Sequence, residues 1–207
     1  MDKSIRAFIA VTLSESVKQP TKKIIADFKS LNLDIKWVEP HNAHLTLKFL
    51  GDVKMNRMDN ITAALQEALS TMKPIKTQLF CLGTFPNNRT PHIFWIGLDD
   101  SEKKLSQLAE TLEEKLKQIG FVRENRDFKS HVTLGRIKSL KNISLLYQKI
   151  QDYPLPQTSL TVDKITLFKS TLTRTGPIYE AIEEFLINLD RGTWKASAGF
   201  PNTTKRA

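Results

Sequence analysis

Two short stretches of the chain repeat the same pattern of reactive side chains: His44-Leu45-Thr46-Leu47-Lys48-Phe49-Leu50-Gly51 and His131-Val132-Thr133-Leu134-Gly135-Arg136. Along a strand, side chains alternate between faces. This puts His44, Thr46 and Lys48 on one side of the first stretch with Leu45, Leu47 and Phe49 on the other, and His131 and Thr133 on one side of the second with Val132 and Leu134 behind. Residues two apart lie about 6 to 7 Å from each other on one face, so a single bound group can touch both imidazole and hydroxyl. Two such strands lining one groove would present two imidazoles and two hydroxyls to a central anion. That set suits phosphoryl transfer with no metal or other cofactor. One histidine, with an ordinary pKa near 6.5, takes a proton from water while a second, protonated histidine gives one to the leaving oxygen. The Thr46 and Thr133 hydroxyls can donate to the non-bridging oxygens, each such donor being worth about 2 to 4 kcal/mol. Arg136 or Lys48 would add a charge-assisted contact.

The remaining elements must hold these strands in place. Arg6 to Thr12 alternates weakly, and Ser14-Glu15-Ser16 after it starts a helix. Val17, Ile24, Ile25, Phe28 and Leu31 carry that helix to about Asn32. Ile35 to Val38 is a short extended segment closed by Pro40, and Gly51-Asp52 is expected to end the first motif strand. Met58, Ile61, Leu65, Ala68, Leu69 and Met72 predict a helix stopped by Pro74. Ile75 to Gly83 and His92 to Leu98 read as a hairpin around the turn-rich stretch Thr84 to Pro91. Leu105, Leu108, Ala109, Leu112, Leu116 and Ile119 form a clean helical stripe with Gly120 just past its end. The second motif strand comes next, then a helix from Asn142 to Ile150, and a strand from about Leu160 to Phe168. Ile178 to Ile187 fits helical spacing, yet Gly176-Pro177 also suits a hairpin partner. The order is that of a mixed α+β chain with a rough internal echo.

With 207 residues, one domain of two lobes is the expectation, spanning residues 1–190, with a loose tail from 191 to 207. No Gly-rich phosphate loop and no Cys/His cluster at zinc spacing occurs. His41, three residues before His44, could mimic a metal pair, but Pro40 and the strand reading argue against it. A single cysteine, Cys81, excludes an internal disulfide framework and favours a reducing compartment. With no apolar stretch long enough for a membrane span, the chain reads as a soluble, cytoplasmic protein that makes no use of membranes, and as a monomer.

Charge narrows the partner. Lys and Arg number 31 against 22 Asp and Glu, a net charge of +9. Between Phe121 and Lys149, seven basic residues (Arg123, Arg126, Lys129, Arg136, Lys138, Lys141, Lys149) face two acidic ones (Glu124, Asp127), so five of the nine excess charges surround the second motif. A positive field of this kind concentrates polyanions. Phe8 on the first strand could stack on a base, and Arg89 in the hairpin loop could meet a phosphate.

The paired stretches resemble the signatures of the two-histidine phosphoesterases, and specifically of the RNA 2′,3′-cyclic phosphodiesterases once named 2′-5′ RNA ligases. Arg6-Ala-Phe-Ile-Ala10, Trp37-Val-Glu-Pro40, Leu82-Gly-Thr-Phe-Pro86, Phe94-Trp-Ile-Gly97 and Thr166-Leu-Phe-Lys-Ser170 are similar to that family in the same order, so the resemblance covers about residues 3 to 187. It implies a bilobal α+β fold in which two mostly antiparallel sheets flank a central cleft, with helices outside. It also implies that the Tyr179 region is a strand. The implied reaction is metal-free hydrolysis of a terminal 2′,3′-cyclic phosphate to a 2′-phosphate, with His44 as proton donor to the 3′ oxygen and His131 as acceptor from water. The implied partners are RNA with cyclic phosphate ends, including tRNA or nucleotide fragments. Two departures stand out. Ser130 occupies a position often held by proline in the family, which should loosen the start of the strand. And Arg136, placed by the family on the phosphate, needs a bulge near Gly135 to reach the His131 face. Two other activities fit the same residues: joining tRNA halves through a 2′-5′ bond, or opening a small cyclic nucleotide. A non-catalytic RNA-binding module is a third reading, disfavoured because binding alone needs no acid-base pair.

Overall fold

Alternating and helical apolar patterns resolve into thirteen regular elements in a computed structural model that describes residues 3–174 and 176–187. In chain order they are β1 (Ser4–Thr12), α1 (Glu15–Lys29), β2 (Ile35–Trp37), β3 (His44–Lys54), α2 (Met58–Leu69), β4 (Ile75–Phe85), β5 (Ile93–Leu98), α3 (Lys104–Gln118), β6 (His131–Ile137), α4 (Ile143–Asp152), β7 (Ser159–Val162), β8 (Lys164–Leu172) and β9 (Pro177–Leu186). The tail expected from Arg191 lies outside the described residues. No described helix is long and apolar enough to cross a membrane.

The strands form one path in the order β7-β4-β5-β6-β3-β1-β8-β9, with β2 added alongside β6 and every pairing antiparallel. At its centre the path narrows: β3 and β6 pair only at Leu45 and Val132 among the described residues. Two halves, β7-β4-β5-β6 and β3-β1-β8-β9, therefore meet at the two motif strands, which accounts for the two sheets expected around a cleft. Ile178 to Leu186 resolves within strand β9, as the resemblance implies and against its helical spacing. The long ladder with β8, from Lys164–Leu186 to Leu172–Pro177, overrides the weak local pattern.

Helices back each half. In α3, Leu105, Leu108, Leu112 and Leu116 are fully buried, and α3 packs with α2 behind β3, where Lys115 pairs with Glu67. Thr62 of α2 donates a 2.7 Å hydrogen bond to Glu183 of β9. Behind the other half, Phe28 of α1 packs 4.8 Å from Phe94 of β5, and Tyr153, just past α4, donates to Asp27 of α1 at 2.6 Å. The stripe that makes each helix amphipathic is the stripe that covers the back of the sheet.

The motif strands are not regular. On β1, Ala10 pairs with Thr46 and Ile9 with Lys48, so Leu47 is an extra residue in β3. On β5, Trp95 pairs with Thr133 and Phe94 with Gly135, so Leu134 is an extra residue in β6. Each bulge keeps two successive residues on the buried side, Leu47 and Lys48 in β3, Leu134 and Gly135 in β6. The next residue, Phe49 or Arg136, then returns to the side of the histidines. Val38 N–H satisfies the extra Leu134 carbonyl at 2.9 Å. Nor does β3 end at Gly51-Asp52 as expected. Leu50 is a second extra residue between the Phe8–Phe49 and Ala7–Gly51 pairs, and Gly51 takes φ of 71°, a backbone that glycine adopts without strain, so the strand continues to Lys54.

Candidate active site

Leu45 and Val132, cross-strand partners with no exposed surface, point into the core. Their neighbours His44, Thr46, His131 and Thr133 therefore point to the other face, and all four are half-buried there. Antiparallel register sets His44 level with Thr133 and Thr46 level with His131. The two histidines are then diagonal neighbours on one face, a spacing of about 7 to 8 Å between positions and somewhat less between Cβ atoms. The Thr46 and Thr133 hydroxyls have no hydrogen-bond partner among the described residues, so both are available to a ligand.

Each imidazole is held in the same way. His44 Nδ1 lies 2.6 Å from the Asn42 carbonyl and His131 Nδ1 lies 2.7 Å from the Lys129 carbonyl, two residues back in both cases. A carbonyl only accepts, so Nδ1 carries the hydrogen in both rings and Nε2 is the nitrogen that titrates toward the cleft. Asn42 belongs to a 3-10 turn, Pro40–Asn42, which its side chain ties to β9 by donating to the Pro177 carbonyl at 3.2 Å. Exposed His41 lies in that same turn. On the other side, Ser130 Oγ donates to the Leu98 carbonyl at 2.7 Å and Leu98 N–H donates to the Ser130 carbonyl at 2.9 Å. The start of β6 is thus pinned where the loss of proline was expected to loosen it, because serine supplies a donor that proline lacks.

Stacked aromatic pairs support the two rings. Phe8 and Phe168 stack at 5.1 Å, and Phe8 lies 4.9 Å from His44; Tyr179 meets His44 edge-on at 5.3 Å and 86°. Phe85 and Trp95 stack at 4.8 Å, with His131 edge-on to Phe85 at 4.9 Å and 89°. Gly83 makes the second stack possible, since a Cβ there would collide with the Trp95 ring. Burial against these rings holds the pKa of both histidines below the ordinary value, and the Asn42 and Lys129 carbonyls oppose that shift. A charge on His131 lowers His44 further, as two imidazoles flanking one gap require.

The structure redistributes the other expected site residues. Arg136 reaches the histidine side exposed, through the Leu134 bulge, as the resemblance requires. Lys48 does not share the His44 face: the Leu47 bulge turns it into the core, 2 % exposed. There it lies 2.7 Å from a Glu113 carboxylate oxygen and donates to the Val122 carbonyl at 2.8 Å. Phe8 is 3 % exposed, too covered to stack on a base, and serves as the wall behind His44. Arg89 stays exposed on the turn beyond Phe85, where Asn87 accepts its backbone N–H at 2.9 Å. No hydrogen bond or ion pair among the described residues directs its guanidinium toward the histidines.

Residue-by-residue reading had missed Phe49, Phe85, Trp95, Phe168 and Tyr179. Phe49 is the counterpart of Arg136, five residues after its histidine, and is 61 % exposed beside Phe8. The equal spacing in the two motifs was the signal for it. No group of three or more described His, Cys, Asp or Glu residues could hold a metal ion.

A curled antiparallel sheet with paired His-x-Thr strands at its centre is the architecture of the two-histidine phosphoesterases. Residues 14–174 match the family model of the 2′-5′ RNA ligase superfamily, and the chain belongs to that superfamily. It is 37% identical over 182 residues to a Methanocaldococcus jannaschii protein named RNA 2′,3′-cyclic phosphodiesterase, covering 87% of this chain and 100% of the relative. An Aquifex aeolicus protein of the same name is 35% identical, with 89% and 98% covered. Among solved structures, TT0787 of Thermus thermophilus superposes with a TM-score of 0.73 at 25% identity, covering 88% of this chain and 98% of that one. The fold is also that of apo LigT from E. coli, with a TM-score of 0.71 at 22% identity and 90% and 99% covered.

Proposed function

We propose that the protein hydrolyses the terminal 2′,3′-cyclic phosphate of RNA to a 2′-phosphate by metal-free, paired-histidine catalysis. One observation carries this reading: both imidazoles are clamped at Nδ1 by a backbone carbonyl, which leaves two Nε2 atoms to serve one gap. Water enters on the His131 side, His131 Nε2 takes its proton, and the new P–O bond forms. The bond to the 3′ oxygen breaks on the opposite side, and His44 Nε2 gives that oxygen its proton. Thr46 and Thr133 donate to the non-bridging oxygens as charge builds there, and the Arg136 guanidinium adds a charge-assisted contact. Exposed Phe49 offers a ring on which the terminal base can stack. The names of the relatives agree with this substrate. The basic surroundings of the second motif fit RNA ends, including tRNA fragments, and the free Cys81 fits a cytoplasmic setting.

The test is to incubate the pure protein with a cyclic-phosphate-ended oligonucleotide and identify the hydroxyl that keeps the phosphate. A 2′-phosphate is expected, formed equally well with EDTA present and lost in His44→Ala and His131→Ala. A 3′-phosphate product, loss of activity on chelation, or turnover by the double variant overturns the mechanism.

A further inference from the structure

Beside the four motif side chains, the same face carries polar groups that no protein partner satisfies. Arg6 lies two residues before Phe8 in β1, so the pleat gives both the same face. Phe8 pairs with Phe168 and Ala7 with Lys169, which sets Arg6 level with Ser170; Ser170 in turn pairs with Tyr179. Arg6, Ser170 and Tyr179 thus form a row across β1, β8 and β9, next to the row that holds Phe8 and Phe168 against His44. The Arg6 and Arg136 guanidiniums are exposed, and neither has an ion-pair partner among the described residues. The half-buried Tyr179 has a hydroxyl with no hydrogen-bond partner among them either.

These groups come together from opposite halves of the sheet. Burial pushes the Tyr179 hydroxyl up, while the charges of Arg136 and Arg6 both pull it down, so the phenol lies within the field of one guanidinium from β6 and one from β1. Two exposed guanidiniums that form no ion pair among the described residues, Arg6 even with Asp52 level with it on β3, surround a free O–H donor at the edge of the cleft and make a site for a second anion.

We propose that Arg6 and the Tyr179 hydroxyl form a second phosphate subsite, which takes the internucleotide phosphate next to the cyclic end while Arg136 faces the cyclic phosphate itself. This rests on the reaction proposed above and makes the preferred substrate an oligonucleotide end in place of a cyclic mononucleotide. Tyr179 also touches His44, so the subsite couples the grip on the RNA chain to the placement of the proposed proton donor.

The test compares 2′,3′-cyclic AMP with a cyclic-ended trinucleotide across a salt series, in wild type, Arg6→Gln and Arg6→Lys. Arg6→Gln is expected to lower kcat/KM for the trinucleotide about tenfold more than for the mononucleotide. The log–log salt slope for the trinucleotide should become shallower by about 0.7, the contribution of one phosphate contact on a single strand, and Arg6→Lys should restore most of it. An equal fall on both substrates, or none on either, overturns the subsite. Fluorescence anisotropy with a 2′-phosphorylated trinucleotide and with 2′-AMP as competitor reads the subsite without turnover. If wild type opens no cyclic end yet Arg6→Gln loses its preference for the trinucleotide, the reaction is wrong and the subsite stands. Turnover with an unchanged preference removes the subsite and leaves the reaction in place.

Discussion

Lys48 and Glu113 form a buried ion pair on the reverse side of the motif strand, with Lys48 Nζ 2.7 Å from one carboxylate oxygen and 2.9 Å from the other. The same ammonium donates to the Val122 carbonyl, in the segment that runs on to His131. Lys48→Met would leave a nearly buried carboxylate and a carbonyl without their donor. Removing one partner of such a pair costs about 3 to 5 kcal/mol, whereas replacing both with apolar groups of similar volume is often neutral. Urea denaturation should therefore show a large loss in Lys48→Met and a recovery of most of it in Lys48→Met/Glu113→Leu. A fully stable single variant would mean that the pair does not hold this segment.

Both histidines are held below their ordinary pKa by burial, which fixes the sign of two pH effects. In the free enzyme both limbs of the kcat/KM profile should lie on the acid side of about 6.5, the unperturbed histidine value, with activity falling as pH rises beyond it. Stability follows the same shifts. Just below 6.5 the unfolded chain binds protons that the folded one refuses, so stability is greatest above that value and is lost as pH falls through the folded pKa values. Denaturation midpoints at pH 7.5 and at pH 5.5 should differ less in His44→Gln/His131→Gln than in wild type.

Gly135 allows the bulge that delivers Arg136. A Cβ there would stand 2.5 Å from Ile35 Cγ2 and 3.3 Å from Trp37 Cε3, both on β2. Gly135→Ala should cost about 1 to 3 kcal/mol of overpacking and lower kcat/KM through a displaced Arg136. Melting temperature and kinetics on one cyclic-ended oligonucleotide check both parts.

The two phenylalanines facing each other across β1 and β3 should behave differently. Phe8→Ala empties a buried position against His44 and should cost about 3 to 5 kcal/mol in denaturant, with loss of turnover. Phe49→Ala, at an exposed ring, should change stability by no more than about 0.5 kcal/mol and act mainly on KM for oligonucleotides.

Most of the site was legible because it is local. His44, Thr46, His131 and Thr133 follow from a period of two, and leucine on the back face gives the orientation of each strand. Lys48 and Phe49 were misplaced because an extra residue in a strand leaves no trace in composition; its position depends on the pairing with β1. The Gly135 bulge was foreseen because glycine and the expected role of Arg136 both demanded it. Strand β9 and the edge of Tyr179 against His44 arise from contacts distant in sequence, which outweigh the helical spacing of Ile178, Ala181, Ile182 and Phe185.

The matched carbonyl clamps give the cleft a nearly palindromic cast. Either imidazole is dressed to surrender or to receive a proton, so the direction of traffic belongs to whichever oxygen nucleophile arrives. Water would open the ring, and a 5′-hydroxyl standing in its place would end in a 2′-5′ bond by the same proton steps. The two banks differ at the fifth residue after each histidine, an exposed ring on one and an exposed guanidinium on the other.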